Sequence, residues 1–330
     1  MLMQRNELNF SGQKIYVGID VHLKSWSVTI LTEHLHHKTF TQSSSPSALV
    51  HYLTHNFPGG MYQSAYEAGF SGLWAHYELV KMGVNNIVVN PADVPSTQKE
   101  QLQKTDRVDS RKIARSLRSG ELTGIYIPAL STLEARSLLR SRSAIVKDLS
   151  RMKQRIKSLL IFYGIPYPPA FEKSATHWSK RFMKWLSEEV TFSTSQGKEA
   201  LSLLVNSACE QRKLLLEATR KIRELSRTSS YEEPLRLIRT VPGIGFITGM
   251  TFLTEIEDIS RFNNSDKLAG YIGLIPTSHA SGEKEGKGEM TFRGQAQMKS
   301  MLIESSWFAA RIDPALSSCF SSLVQRMEPN

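Results

Sequence analysis

The chain has 330 residues, with 41 Lys and Arg against 31 Asp and Glu, a formal net charge of +10 and a pI near 9.5; such an excess of cations attracts polyanions, either nucleic acid or an anionic membrane, before any specific contact forms. No stretch approaches the roughly 20 apolar residues of a spanning helix, the start MLMQRNELNF lacks the apolar block of a signal peptide, and Cys209 and Cys319 lie far apart without metal-ligand spacing. These features argue against membrane insertion, a disulfide framework and a zinc site, make both cysteines small core residues, and predict a cytoplasmic protein of two domains or one large domain with insertions.

IYVGID (Ile15 to Asp20) reads as an apolar strand ending in an acid, SWSVTILT (Ser25 to Thr32) as its hairpin partner, and HHKTFTQ (His36 to Gln42) as a third strand. After the turn SSSPSA, ALVHYLTHNF carries apolar residues at helical spacing. SAYEA (Ser64 to Ala68), SGLWAHYELVKMG and NNIVVNP (Asn85 to Pro91) continue as strand, helix and strand, and a helix is expected from near Thr105. Three early strands followed by αβ units predict a mixed sheet flanked by helices. From Leu133 apolar residues recur every three or four positions along a long helix that YGIPYPP breaks, and a second long helical run covers Glu199 to Arg227. Helices of this length pair with each other or with a second subunit, and both readings stand. A further compact unit runs from YEEPLRLIRTVPGIG to Pro314, with its glycine-rich part, ASGEKEGKGEMTFRG, expected to be a loop.

The segment KTDRVDSRKIAR sets Asp106 and Asp109 three residues apart among Lys104, Arg107, Arg111 and Lys112. On a helix that spacing puts both carboxylates on one face, with Thr105 or Asp106 as N-cap. A pair of this kind standing alone would cap the helix and offset the neighbouring cations. Asp20 and Glu67 change the reading, because acids in apolar strands are costly to desolvate unless they are paired or bind a metal. If the four meet, divalent cations must neutralise them; magnesium is the expected ion, two of them about 4 Å apart, with the surrounding cations holding a phosphate backbone.

Two features of the second half have simpler alternatives. Gly243 and Gly245 in VPGIG fit a hairpin whose N–H groups approach a phosphate, or a turn between two core helices. Ser281, in a flexible loop with Lys284, Lys287 and Arg293, is by composition a turn residue. Lys153, Arg155 and Lys157 belong to a basic helix face that is either solvated or tracks phosphates.

IYVGIDVHLKSW, AYEAGFSGLWAHYEL and KTDRVDSRKIARSLRSGELTGIYIP resemble the amino-terminal half of the IS-one-ten family of insertion-sequence transposases, the DEDD recombinases. VPGIGFITGMTFLTEIEDISRF and LAGYIGLIPTSHASGEKEGKGEMTFRG resemble its carboxy-terminal half, leaving only about Pro166 to Gly197 without a match. The resemblance implies an α/β chain with a ribonuclease H-like (RuvC-like) catalytic domain over 1–130 and a long helical coiled-coil segment over 131–230. A mainly α domain with a helix-hairpin-helix-like element would follow over 231–330. It further implies Mg2+ at Asp20, Glu67, Asp106 and Asp109, with Ser281 attacking a DNA phosphate to form a phosphoserine link. His22 fits the family pattern and is read as a neighbour of the acids or a surface residue rather than a ligand. The implied partners are donor and target DNA, a noncoding bridge RNA that pairs with both, and further copies of the chain in a homodimer or tetramer, nucleoid-associated when acting. The sequence departs from the family at Phe292, where Lys or Arg is common, and at His279 and Ala280; Ser278 is a second candidate hydroxyl. Two other readings remain: a Holliday-junction-type endonuclease using the same acids with water as nucleophile, and a catalytically silent DNA- or RNA-binding protein.

Overall fold

The computed structural model describes residues 9–97, 105–281, 284–291 and 293–326, with the side chains of 278–287 outside that description. The chain forms two compact units, Met1–Ile127 and Pro128–Asn330. The regions expected at 131–230 and 231–330 fall together in the second.

The first unit contains β1 (Lys14–Val21), β2 (Ser25–Leu31), β3 (His36–Ser43), α1 (Pro46–Asn56), β4 (Met61–Glu67), α2 (Trp74–Lys81), β5 (Asn85–Val89) and α3 (Asp106–Ser119). Its five strands lie in the order β3-β2-β1-β4-β5, with β1–β2 and β2–β3 antiparallel and β1–β4 and β4–β5 parallel. Side chains alternate across a strand, so Ile15, Val17 and Ile19 of β1 join Leu49, Leu53 and Leu79 in the core on one face. Tyr16 of the same strand packs on the other face against Ala114 of α3. Ala65 and Val89 meet Ile113 there as well.

Gly18 decides how closely α3 approaches. A Cβ at this position would run into the Ser110 carbonyl oxygen and the Ala114 nitrogen, so only glycine lets the helix backbone lie directly on β1. Buried hydroxyls then fasten the joint: Ser110 Oγ sits 2.9 Å from Thr29 Oγ1 and 3.3 Å from Ser27 Oγ, both on β2. Polar groups in this position are tolerated because they satisfy one another.

The second unit contains α4 (Leu130–Phe162), α5 (Lys180–Glu188), α6 (Ser195–Leu225), α7 (Glu232–Ile238), α8 (Phe246–Ile256) and α9 (Ser265–Ile272). It continues with β6 (Pro276–Ser281), β7 (Lys284–Met290), α10 (Ala296–Ile312) and α11 (Pro314–Val324). The long helices α4 and α6 bury Leu149, Ile156 and Leu160 against Leu201, Val205 and Ala208, together with Phe171, Phe182 and Trp185. These buried faces are thus partnered within one chain, while Ile161, Phe162, Leu203 and Leu216 on the same helices are exposed. Near its start α4 is tied to α8: Arg136 donates to the carbonyls of Thr254 (2.6 Å) and Glu255 (2.9 Å), and Arg140 binds the buried Glu255 carboxylate at 2.9 Å. The N-cap position of α4, Ala129, has no capping side chain, and Glu257 supplies the acceptor, taking the Ala129 N–H at 3.0 Å and the Thr132 hydroxyl at 2.6 Å.

The glycine-rich segment expected to be a loop is instead an antiparallel hairpin, β6 with β7, in which Ser281 stands opposite Lys284. Main-chain pairing needs no apolar side chains, so the composition did not announce it. Cys209 is half-buried and packs against the core of the second unit, whereas Cys319, expected there too, is exposed. Among the described residues no helix is long and apolar enough to cross a membrane.

Candidate active site

The register of the sheet brings the strand acids together. Gly18 pairs with Ala65 across the parallel β1–β4 ladder, and Ala65 packs on the α3 side. Two residues further along each strand, alternation returns Asp20 and Glu67 to that same side, at the carboxyl ends of neighbouring parallel strands where open sheets place their ligands. α3 begins over this edge, with Thr105 as N-cap accepting the Val108 N–H at 3.3 Å and Asp106 and Asp109 in the first turn. The four expected acids therefore converge on one edge of the first unit, in two groups.

In the first group, His22 Nε2 lies 3.2 Å from Asp20 Oδ2 and 3.7 Å from Asp106 Oδ1. One donor atom from each of Asp20, His22 and Asp106 falls within 4.8 Å of the others. The turn after β1 explains the position of His22, whose N–H bonds the Ser25 carbonyl at 3.2 Å so that the ring stays beside Asp20. The imidazole thus neighbours both acids, with its side chain 41% exposed. Burial lifts the Asp20 carboxyl above its ordinary range; His22 opposes the shift, while Asp106 and then Asp109 reinforce it.

In the second group the Lys112 ammonium lies 3.2 Å from Glu67 Oε1 and 3.4 Å from Asp109 Oδ1. Lys112 was expected among the phosphate-holding cations, yet its side chain is only 10% exposed and faces the acids. The cause is helical phase: Lys112 is one turn beyond Asp109 on the same face. Burial works against its charge, but Glu67 and then Asp109 outweigh it and hold the amine above the ordinary lysine range. The ammonium meets Glu67 Oε1 off hydrogen-bonding geometry, leaving that buried oxygen without a hydrogen bond.

The residues fit a hard divalent cation. Carboxylate oxygens and one imidazole converge, and Asp20 is destabilised as an anion by its surroundings.

The other expected residues belong to both units. Arg107 and Arg111 are exposed on α3, and Lys104 lies outside the described residues. Along α4, Arg155 is exposed, Lys157 is half-buried, and Lys153 rests over the Trp178 ring at 5.2 Å. Gly243 takes a positive φ of 84° where a Cβ would meet the Ser305 carbonyl, a packing reason for glycine, whereas Gly245 is the N-cap of α8 with open space around it. Ser281, Lys284 and Lys287 are placed by backbone alone, in β6 and β7, and Arg293 is exposed after the hairpin.

Comparison with known proteins adds a family. A model described as "Transposase IS116/IS110/IS902 family" matches residues 235–320, and a DEDD transposase model of IS110 elements matches residues 17–165. The chain is 28% identical over 242 residues to the putative transposase y4qE of Sinorhizobium fredii, covering 73% of this chain and 57% of that protein. It is 26% identical over 266 residues to the transposase for insertion sequence element IS1533 of Leptospira borgpetersenii, covering 76% and 72%. It is also 36% identical over 93 residues to a pilin gene-inverting protein of Moraxella bovis, 28% of each chain.

Proposed function

Because this chain belongs to the IS116/IS110/IS902 family of transposases, we propose that it moves an insertion sequence by cutting and rejoining donor and target DNA, using the acidic edge of its first unit as a divalent-metal site. The observation that carries this reading is the convergence of Asp20, His22 and Asp106 beside Glu67 and Asp109 at the end of a mixed sheet. The strand order and senses support a ribonuclease H-like assignment for that unit. The relatives named as transposases and as a gene-inverting protein support strand exchange over simple cleavage.

Mg2+ is the ion proposed, held by the carboxylates with His22 as a nitrogen donor; when bound it would polarise the scissile phosphate and stabilise the charge that develops on it. Arg107 and Arg111, exposed beside the acids, would hold the flanking backbone. Ser281 is the proposed nucleophile. Its Oγ–P bond forms as the P–O bond to one strand end breaks; the serine proton departs and the released strand oxygen is protonated. Attack by a strand hydroxyl on the phosphoserine reverses the exchange and restores the serine. A noncoding guide RNA would choose the sites by base pairing, and dimers or tetramers would hold the two DNAs.

The test incubates the protein with RNA from the region flanking its gene, matching donor and target DNA, and Mg2+, then looks for DNA attached to protein on a denaturing gel. The adduct is expected with wild type and absent with Ser281→Ala and Asp106→Ala. Cleavage that persists without an adduct in Ser281→Ala would make the chain a water-using nuclease.

A further inference from the structure

Glu67 and Asp109 already close on a cation that belongs to the chain. The Lys112 ammonium stands 3.2 Å from one and 3.4 Å from the other, while Asp20, His22 and Asp106 form a group of their own within 4.8 Å. A magnesium ion bridging Glu67 and Asp109 would need an oxygen from each at about 2.1 Å. That would put it in the gap the ammonium fills, and two cations do not share such a gap.

We propose that Lys112 takes the place of a second metal ion, so that the chain binds one divalent ion firmly, at Asp20, His22 and Asp106. A lysine suits the role, since it brings a compact charge with three donors on a flexible stem. Its position one turn after Asp109 lets α3 deliver it with the acids, and its burial keeps solvent from competing. The consequence is a site ordered in advance: Glu67 and Asp109 are neutralised and aimed before any metal or DNA arrives. Asp20, His22 and Asp106 remain as the separate group of donor atoms. Lys112 is in this sense a positioning residue. The proposal rests on the reading of these acids as a metal site.

Mn2+ binding to the full-length, metal-stripped protein tests it, by equilibrium dialysis with free Mn2+ followed by electron paramagnetic resonance and without DNA. Wild type and Lys112→Arg are expected to bind a single ion per chain, and Lys112→Met to gain a second. Because Lys112→Met leaves two acids facing each other and could fold poorly, Glu67→Gln provides an independent arm. It should keep the wild-type ion, whereas Asp20→Asn should weaken it by at least the roughly 10- to 100-fold that even an outer partner of a metal ligand is worth. Two firmly held ions in wild type, no gain in a folded Lys112→Met, or loss of the ion in Glu67→Gln as complete as in Asp20→Asn would each overturn the role of Lys112 while leaving the metal site standing. No bound Mn2+ in wild type would instead remove the metal reading itself.

Discussion

Buried charge is handled in opposite ways in the two units. In the second unit the Glu255 carboxylate is met by two guanidinium groups, Arg140 at 2.9 Å and Arg136 at 3.6 Å, and Arg136 donates its Nε and Nη2 hydrogens to the carbonyls near the end of α8. Positive charge exceeds negative there, and the groups satisfy one another. In the first unit a single buried lysine faces Glu67 and Asp109, while among the described residues the positive partner beside Asp20 and Asp106 is a histidine. A buried ion pair whose groups are all engaged holds helices in register. A cluster whose described neighbours supply little positive charge favours cations, and the proposed metal site rests on that property.

This contrast predicts that mutations at the two places separate stability from activity. The largest effect on folding is expected from Arg136→Ala, which removes the buried donors on the Thr254 and Glu255 carbonyls and leaves the Glu255 carboxylate to Arg140 alone; a buried acceptor left unsatisfied costs about 1–3 kcal/mol. Urea unfolding followed by circular dichroism measures it, and a loss under 1 kcal/mol would mean the network is no stronger than a surface pair. Asp20→Asn should do the reverse. Strand exchange should fall by roughly 10²–10³-fold, as when an electrostatic clamp on a transition state loses one member. Without added metal its thermal midpoint should hold or rise, because burial and the neighbouring carboxylates act against the Asp20 charge in the folded chain. A marked drop in the midpoint would assign Asp20 a structural role and erase the contrast.

The limits of the sequence are visible in the same places. The strands were legible because apolar runs with β-branched residues mark them, and the pairing of Asp106 with Asp109 followed from helical spacing alone. The contact of His22 with Asp20 depends on how the turn after β1 folds back, which spacing does not encode. Lys112 was grouped with Arg107 and Arg111 because a basic run hides its faces until the helix has a neighbour; α3 lies on the sheet with Lys112 inward and the two arginines outward. Glu255 and Glu257 carried no local signal, because their partners lie more than a hundred residues away, at Arg140 and Thr132. The hairpin of β6 and β7 escaped for want of alternating apolar residues.

A smaller effect sharpens the account of how the acids meet. Gly18→Ala places a methyl group against the Ser110 carbonyl and the Ala114 nitrogen, and α3 must rise from β1 to admit it. Overpacking of this kind costs about 1–3 kcal/mol. The displacement separates Asp106 and Asp109 from Asp20 and Glu67, so Mn2+ affinity should fall along with stability. Unchanged metal binding in a folded Gly18→Ala protein would show that the joint between helix and strand does not set the geometry of the site.

The smallest expected change is at Thr105, and it separates the helix end from the metal ligands. Its hydroxyl takes the Val108 N–H at 3.3 Å, starting α3 one residue before Asp106. Removing an N-cap costs about 1 kcal/mol, and here Asp106 and Asp109 soften the loss by presenting negative charge to the same positive helix end. Thr105→Ala should therefore destabilise the chain slightly, while Thr105→Ser restores it. Its effect on metal affinity should fall on Asp106, which is 66% exposed and depends on the first turn for its position, and hardly at all on Asp109, held by Lys112. If Thr105→Ala lowers Mn2+ affinity in wild type but adds nothing in an Asp106→Asn background, the cap acts through that one carboxylate. An equal loss in both backgrounds would mean that the whole first turn, with Asp109 and Lys112, moves as a unit.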